Sequence, residues 1–140
     1  RGGELAALAV ELPATPGARH LAAFQQARAA EAGNSPDEAR KYYLDALAAL
    51  EKLPPSPAVD YRRAYLSALA GRDTEAEALY GRLLEDNPQS LPVLLNLSEV
   101  KAALGKKQEA LSLARSATRL APDSEAARQC LKRREQENRP

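Results

Sequence analysis

Residues 71–88 have the sequence GRDTEAEALYGRLLEDNP, and residues 105–122 have the sequence GKKQEALSLARSATRLAP. The two stretches carry glycine, glutamate, alanine, leucine and proline at matching places, and every matched pair has the separation of Gly71 from Gly105. A third copy begins at Asp37-Glu38-Ala39, but Ala39 lies farther from Ala76 than this period allows, so a few residues are inserted between the first and second copies. We place the insertion at residues 54–57 (PPSP), whose prolines cannot continue a helix. The fixed period, about 34 residues, indicates a repeat protein.

Each repeat unit predicts two helices joined by a short turn. In the second unit the first helix covers residues 57–70, and Gly71 follows where a left-handed residue is needed. Its second helix runs from about Asp73, a candidate N-cap, to about Asp86. The third unit repeats this plan with helices over residues 91–104 and 107–120. In the first unit, Ser35-Pro36-Asp37-Glu38 predicts a capping box that opens a helix to about Leu53.

The ends of the chain fit the same plan, and we treat residues 1–140 as one domain. A helix over residues 18–32 has mostly alanine as its apolar residues, so periodicity does not fix its inward face. The last helix is strongly polar, as expected of a helix that caps a stack. The predicted segments are 1–13 (half-repeat or N-terminal helix), 18–54 (divergent repeat 1), 57–90 (repeat 2), 91–123 (repeat 3) and 124–138 (capping helix).

The composition predicts an all-α protein. Alanine and leucine occur 29 and 22 times, whereas there are four valines and no isoleucine or tryptophan. The net charge of +1, with both signs spread evenly, argues against nucleic acid or an anionic membrane as the main partner. No apolar run approaches the roughly 18 residues of a membrane span. The chain begins at Arg1 without an initiator methionine or leader, so we expect a fragment or a mature form.

These spaced residues resemble the tetratricopeptide repeat family, whose unit is a helix-turn-helix of about 34 residues. The resemblance implies an α-α superhelix of about three helix pairs with flanking helices. The first unit matches only in its second half, at Ala39, Tyr43 and Ala46, and the family's tryptophan is missing throughout. The matching positions in the second and third units are Ala64, Gly71, Ala76, Tyr80, Pro88, Leu97, Ser98, Gly105, Ala110, Ala117 and Pro122.

Small residues have a physical role in such a pair. Two helices approach closely only where the side chains at their crossing are small. We therefore expect Ala64 to face Ala76, and Ser98 to face Ala110.

The residues needed for catalysis or metal binding are scarce. With one histidine, His20, and one cysteine, Cys130, the chain cannot build a histidine-rich or cysteine-pair metal site. Gly105-Lys106-Lys107 lacks the second glycine and the preceding strand of a phosphate-binding loop. Cys130 is more simply interpreted as a small buried hydrophobic residue than as a reactive thiol. We predict a non-enzymatic protein without metal or cofactor.

The resemblance places ligand contacts on the concave surface, which the first helix of each pair lines. Tyrosine and arginine are frequent interface anchors, and the mixed charges suggest an amphipathic or mildly acidic peptide in a groove. The alternatives stay open: the tyrosines could pack between units, and Asn96 could bond to backbone. The predicted peptide-binding residues are Arg28, Tyr61, Arg62, Tyr65, Asn96, Glu99 and Arg133.

A subgroup of the family holds the C-terminal carboxylate of chaperone peptides with a lysine, asparagine and arginine set. Here Asn96 and Arg62 fall at matching places, but Phe24 and Pro92 occupy the two lysine positions. The resemblance therefore argues against a chaperone carboxylate clamp.

Three functions remain to be weighed. The favoured one is a protein-interaction scaffold or adaptor within a larger protein, and the alternative is a structural or self-association segment of a multidomain enzyme or a secretion or assembly complex. A nucleic-acid role would rest on Arg128, Lys132, Arg133 and Arg134, which are better explained as the solvated face of the capping helix. The composition is compatible with a bacterial source, and the sequence has no feature that distinguishes cytoplasm from periplasm.

Overall fold

A computed structural model describes residues 28–33 and 35–140, and this part of the chain is helical without strands. Residues 28–32 are also helical. The predictions for the N-terminal helix, for most of the helix over 18–32, and for His20 and Phe24 lie outside the described residues. The complete helices are α1 (Pro36–Leu50), α2 (Pro57–Leu69), α3 (Asp73–Asp86), α4 (Leu91–Ala103), α5 (Lys107–Leu120) and α6 (Glu125–Glu137).

Prolines and serines set the helix starts. Pro57 occupies the first turn of α2, where its missing N–H costs no hydrogen bond. The Ser56 hydroxyl accepts a hydrogen bond from the Val59 N–H at 3.1 Å, and Ser124 does the same for Ala127 at the start of α6. Each cap satisfies one of the backbone donors that a helix start leaves unpaired.

The predicted capping box at the start of α1 is wrong. Pro36 is in the first turn as expected, but the Ser35 side chain makes no capping hydrogen bond. The Ser35 N–H instead donates to the Ala30 carbonyl at 2.8 Å, closing the end of the preceding helical segment. That N–H is the group to which Glu38 would have to reach back, so the reciprocal pair cannot form.

The same turn closes α2 and α4. Gly71 and Gly105 have φ values of 82° and 79°. Around Gly71, the Arg72 N–H donates to the Ser67 carbonyl and the Gly71 N–H to the Ala68 carbonyl. Lys106 and Gly105 repeat both bonds one period later, to the carbonyls of Lys101 and Ala102. This is the Schellman arrangement, which needs a left-handed residue and therefore favours glycine.

Gly105→Ala is expected to lower the free energy of unfolding by about 1 kcal/mol, because an alanine strains a left-handed backbone. A Cβ at position 105 meets no atom within 4 Å, so the cost is conformational rather than steric. Gly81 is the matched control, because it lies inside α3 and its Cβ would also meet nothing. Gly81→Ala should raise stability by about 0.5–1 kcal/mol. Urea unfolding followed by circular dichroism measures the free energy of unfolding of both variants. Equal changes in the two variants would contradict the turn assignment.

The chain divides into two compact units, which differ from the repeat units and meet between Leu79 and Tyr80 inside α3. From here on, the first unit is the compact unit before this division and the second unit is the one after it. In the first unit α1 packs on α2. Tyr43, Leu50, Tyr65 and Leu66 are at most 2% exposed and form the centre of its core. The Arg40 side chain ties the helices together, donating from Nε to the Ala70 carbonyl at 2.9 Å.

In the second unit α5 packs against both α4 and α6. Ser98 and Ala110 are fully buried, and the Ser98 hydroxyl donates to the Ala110 carbonyl at 2.8 Å. This contact confirms the expected close crossing of α4 and α5 at a pair of small residues. Ala64 and Ala76, the corresponding pair in the first unit, are fully buried as well.

Candidate functional site

The predicted binding residues fall mainly on one repeated position of the first helices. Tyr65 on α2, Glu99 on α4 and Arg133 on α6 follow one another at the repeat period. Arg28 precedes Tyr65 by the longer interval that includes the insertion. The contacts and burial of these four residues differ between the two units.

Helix α6 has the burial pattern of a first helix. Ala127 is fully buried. Val59 in α2 and Val93 in α4 occupy the same repeat position and are at most 6% exposed. Cys130 is 2% exposed, which confirms its interpretation as a small buried residue. Its thiol lies 3.5 Å from the Ser98 hydroxyl, and burial raises its pKa. A protonated, inaccessible thiol is a poor nucleophile.

In the first unit, Arg28 is part of a cluster of charged and phenolic groups. Its Nη1 lies 2.6 Å from Oε2 of Glu31. Partial burial opposes ionisation of Arg28, but Tyr43 and Glu31 outweigh this effect and raise its pKa. Burial, with Glu31 nearby, raises the pKa of Tyr43 to about 12. Burial also raises the pKa of Tyr65, which is 1% exposed and therefore packs in the core.

Tyr61 and Arg62 are the accessible residues of this group on α2. Both are half-buried, in contrast to Tyr65 one turn later. Burial lowers the pKa of Arg62, although the guanidinium stays charged at neutral pH. A partly desolvated arginine beside a half-exposed tyrosine combines apolar area with directional donors, the combination enriched at protein interfaces.

In the second unit, Glu99 and Arg133 bind each other. Arg133 Nη2 lies 2.6 Å from Glu99 Oε1, a charge-assisted hydrogen bond between equivalent positions of α4 and α6. The Glu99 side chain is 10% exposed and that of Arg133 is 32% exposed. The pair therefore fixes α6 against α4 while about a third of the Arg133 side chain stays exposed.

Arg134 completes the network, and the prediction that it belongs to a solvated face is wrong. Its side chain is 3% exposed, and its Nη1 lies 3.4 Å from Glu99 Oε2 and 3.3 Å from the Ser98 carbonyl. Its Nη2 binds Glu137 Oε1 at 3.0 Å. The reason is the register: Leu66, Val100 and Arg134 occupy the same place in successive repeats, and the first two are buried core residues. That spacing is the signal that sequence reasoning missed.

Asn96 lies in the interior of the second unit. Its side chain is fully buried, and Nδ2 donates to the Tyr80 hydroxyl at 3.1 Å. Tyr80 is fully buried too. Asn96 thus bonds in the interior to the family's aromatic position, and a peptide cannot reach the amide without local rearrangement.

The remaining basic residues of α6 are Arg128 and Lys132, both exposed. Arg128 is exposed but bound to Glu125 at 2.8 Å and to the Pro122 carbonyl at 3.0 Å. Arg128 also lowers the pKa of Glu125. Only Lys132 of the four residues considered for nucleic acid is both exposed and outside the ion pairs described for this segment. The described residues contain no group of three or more histidine, cysteine or carboxylate side chains placed to hold a metal ion.

Within the described ranges, no helix has both the length and the apolar character to cross a bilayer.

Comparisons with known proteins agree with this architecture. A family model described as "Tetratricopeptide repeat" matches residues 67–133. A comparison with curated protein sequences gave no match.

Many solved structures are similar to this chain. The Arabidopsis OM64 TPR domain is 18% identical, with 85% of this chain and 96% of that one covered and a TM-score of 0.55. The first TPR of Spaghetti (RPAP3), bound to the HSP90 peptide SRMEEVD, is 19% identical, with 88% and 95% covered and a TM-score of 0.57. The Sgt2 TPR domain from Aspergillus fumigatus is 16% identical, with 91% and 82% covered and a TM-score of 0.56. At these identities the likeness concerns the fold.

The family model and the structural likenesses support the predicted resemblance to the tetratricopeptide repeat family. The predicted fold class, an all-α superhelix of repeated helix pairs, is confirmed. Domains of this family generally serve as protein-interaction modules.

Proposed function

We propose that this chain is a non-enzymatic interaction module that binds a peptide segment of a partner on the concave face formed by its first helices. It would act as a scaffold or adaptor within a larger protein. The observation that carries the proposal is the position of Tyr61 and Arg62, both half-exposed on a first helix that buries Tyr65 and Leu66. The complex of the RPAP3 domain with a peptide supports it by analogy of fold.

The first helices of the two units differ in their chemistry. Tyr61 and Arg62 offer an aromatic surface and a cation on α2, whereas Glu99 and Arg133 offer an internally neutralised pair between α4 and α6. A peptide that alternates apolar and weakly acidic residues would pack on Tyr61 and pair with Arg62. Such a segment corresponds to the helix-in-groove or extended-peptide modes of recognition.

The Tyr61→Ala/Arg62→Ala double variant is expected to keep its helicity and to lose peptide affinity by at least about tenfold, or about 1.4 kcal/mol. Tyr65 is left intact because truncating a buried tyrosine would unfold the domain. The probe is a random-peptide display library selected on the full chain, followed by titration calorimetry of the best peptide. Lys41→Ala, which changes an exposed residue on the second helix of its pair, is the matched control.

Two results would contradict the proposal. Either the selection returns no peptide that binds the folded chain, or the double variant binds the selected peptide as well as the Lys41→Ala control does. The peptide SRMEEVD serves as a specificity comparison. We expect it to bind less tightly than the selected peptide, because Asn96 is buried and Pro92 stands at one of the clamp's lysine positions.

Self-association is the second candidate, and a charge difference between the units favours it. Residues 1–79 carry nine Lys and Arg against eleven Asp and Glu, a net −2, whereas residues 80–140 carry eleven against eight, a net +3. Opposite net charges allow attraction between copies. Light scattering over a concentration series separates the two functions: a dimer that dissociates with added salt favours self-association, and a salt-independent monomer favours the peptide-binding role.

A further inference from the structure

The first unit holds a second partly exposed arginine besides Arg62, namely Arg28. Its Nη1 lies 2.6 Å from Oε2 of Glu31, one turn later on the same helical segment, and the two side chains are 34% and 31% exposed. A guanidinium carries five N–H donors in a fixed fork. One carboxylate oxygen therefore leaves the fork with the capacity to bind a second acceptor.

The surroundings of Tyr65 place Arg28 close to Tyr61. Burial raises the pKa of Tyr65, and four neighbouring groups modify this effect: Arg28, Tyr43, Glu31 and Tyr61. Charged and phenolic groups act on a pKa only from nearby. Tyr61 precedes Tyr65 by one helical turn, so both side chains project from the same side of α2. Arg28 and the half-buried Tyr61 therefore belong to one patch of the first unit.

The charges of this patch favour an acidic ligand. Arg28 and Glu31 neutralise each other, and Arg62 on α2 adds a second cation, so two cations and one carboxylate leave a net +1. Tyr43 and Tyr65 stay neutral, because burial raises the pKa of each above its already alkaline ordinary value. A positive, partly desolvated patch attracts a segment with more acidic than basic side chains.

We propose that Arg28 determines specificity in the peptide site by binding an aspartate or glutamate side chain of the ligand. This inference rests on the proposed peptide-binding function and extends it. The ligand then carries two acidic residues, one for Arg62 and one for Arg28, together with an apolar residue that packs on Tyr61. A guanidinium suits the Arg28 contact, because its fork matches the two oxygens of a carboxylate.

The test is a double-mutant cycle between the full chain and the peptide from the display selection, measured by titration calorimetry. The peptide is synthesised with both termini blocked, so that its side chains carry its only carboxylates. Each acidic residue is replaced in turn by its amide. We expect Arg28→Gln to weaken binding of the unmodified peptide about fivefold. For one of the amide peptides the same substitution should weaken binding less than about twofold, which identifies the acidic residue that Arg28 binds.

Arg63→Gln is the matched control. Arg63 Nη1 lies 3.7 Å from Asp60 Oδ1 in another pair three residues apart, and its side chain is 37% exposed. The control therefore removes the same charge and a similar ion pair, but Arg63 is not among the groups that act on Tyr65. It should change the affinity for the unmodified peptide less than about twofold.

Circular dichroism establishes that each variant is folded. Should Arg28→Gln unfold, Arg28→Lys takes its place, because it keeps the charge but loses the fork, and its loss of affinity should depend on the same acidic residue of the peptide.

Three results would overturn the inference. The selected peptide contains no acidic residue, the loss caused by the Arg28 variant is the same for every peptide, or that loss equals the loss caused by Arg63→Gln. Failure of the proposed peptide-binding function has a different signature, since the Tyr61→Ala/Arg62→Ala variant would then bind the peptide normally. A peptide that needs Tyr61 and Arg62 but not Arg28 leaves that function standing and overturns only the role of Arg28.

Discussion

Glu99→Gln is expected to lower the free energy of unfolding by about 3 kcal/mol, one of the two largest effects that we predict for a single substitution. The carboxylate is the shared partner of Arg133 and Arg134, at 2.6 Å and 3.4 Å. Removing its charge leaves the Arg134 guanidinium, 3% exposed, with Glu137 as its remaining ion-pair partner in the network. A buried charge without sufficient compensation destabilises far more than the pair stabilises. Urea unfolding of the full chain measures the effect.

Glu109→Gln is the matched control for this substitution. It removes an equally direct ion pair, Lys101 Nζ to Glu109 Oε1 at 3.1 Å, but the Glu109 side chain is 59% exposed. Exposed ion pairs contribute about 0–1 kcal/mol, so the free energy of unfolding of the control variant should hardly change. If the two variants lose the same stability, burial of the Glu99 network is not what makes it important.

A paired substitution tests the physical reason directly. Leu66 and Val100 occupy the repeat position of Arg134 in the two preceding first helices. Glu99→Leu with Arg134→Leu therefore replaces a buried ion pair by apolar side chains and restores at position 134 the residue type of the earlier repeats. We expect the double variant to be near wild-type stability or above it, because well-packed apolar replacements of buried pairs are often neutral or stabilising. Arg133 tolerates the loss of its Glu99 partner because its side chain is 32% exposed and can be hydrated. Additive destabilisation would contradict this interpretation.

Tyr80→Ala is the second large effect, an expected loss of about 3–5 kcal/mol by comparison with other buried aromatic truncations. Tyr80 is fully buried and its hydroxyl accepts the bond from Asn96 Nδ2 at 3.1 Å. The truncation both opens a cavity and removes an acceptor from a buried amide. Thermal or urea unfolding followed by circular dichroism measures the loss.

Tyr80→Phe separates the two contributions. It keeps the ring and removes only the hydroxyl, so we expect a loss of about 1 kcal/mol, the usual size for one hydrogen bond. A phenylalanine variant as unstable as the alanine variant would mean that the hydrogen bond, rather than packing, dominates at this position.

The repeat period predicted most of the described helices from sequence alone. The expected boundaries for α2, α4 and α5 agree closely with those observed, and α3 ends at Asp86 as predicted. Glycine and proline made this possible, since both act through the local backbone. The predicted end of α1 at Leu53 was too late, because the helix ends at Leu50 and the chain continues through Leu53 as turns.

Side-chain partnerships were harder to predict than helices. The sequence identified Glu99 and Arg133 as members of one face, but not that they bind each other. Arg134 was misplaced because a charged residue at the end of a polar helix suggests solvent, whereas its neutralisation depends on the Glu99 carboxylate of another helix. Composition and helical periodicity carry no information on such a long-range pair. The repeat spacing from Leu66 and Val100 does, once it is extended into α6.

NMR mapping of a selected peptide on the ¹⁵N-labelled chain tests the central claim, that the first helices carry the binding face. The measurement records which backbone amides shift when the peptide from the display selection is added. We predict shifts concentrated in α2, around Tyr61 and Arg62. Shifts confined to α1, the second helix of its pair, would place binding away from Tyr61 and Arg62 and contradict the account.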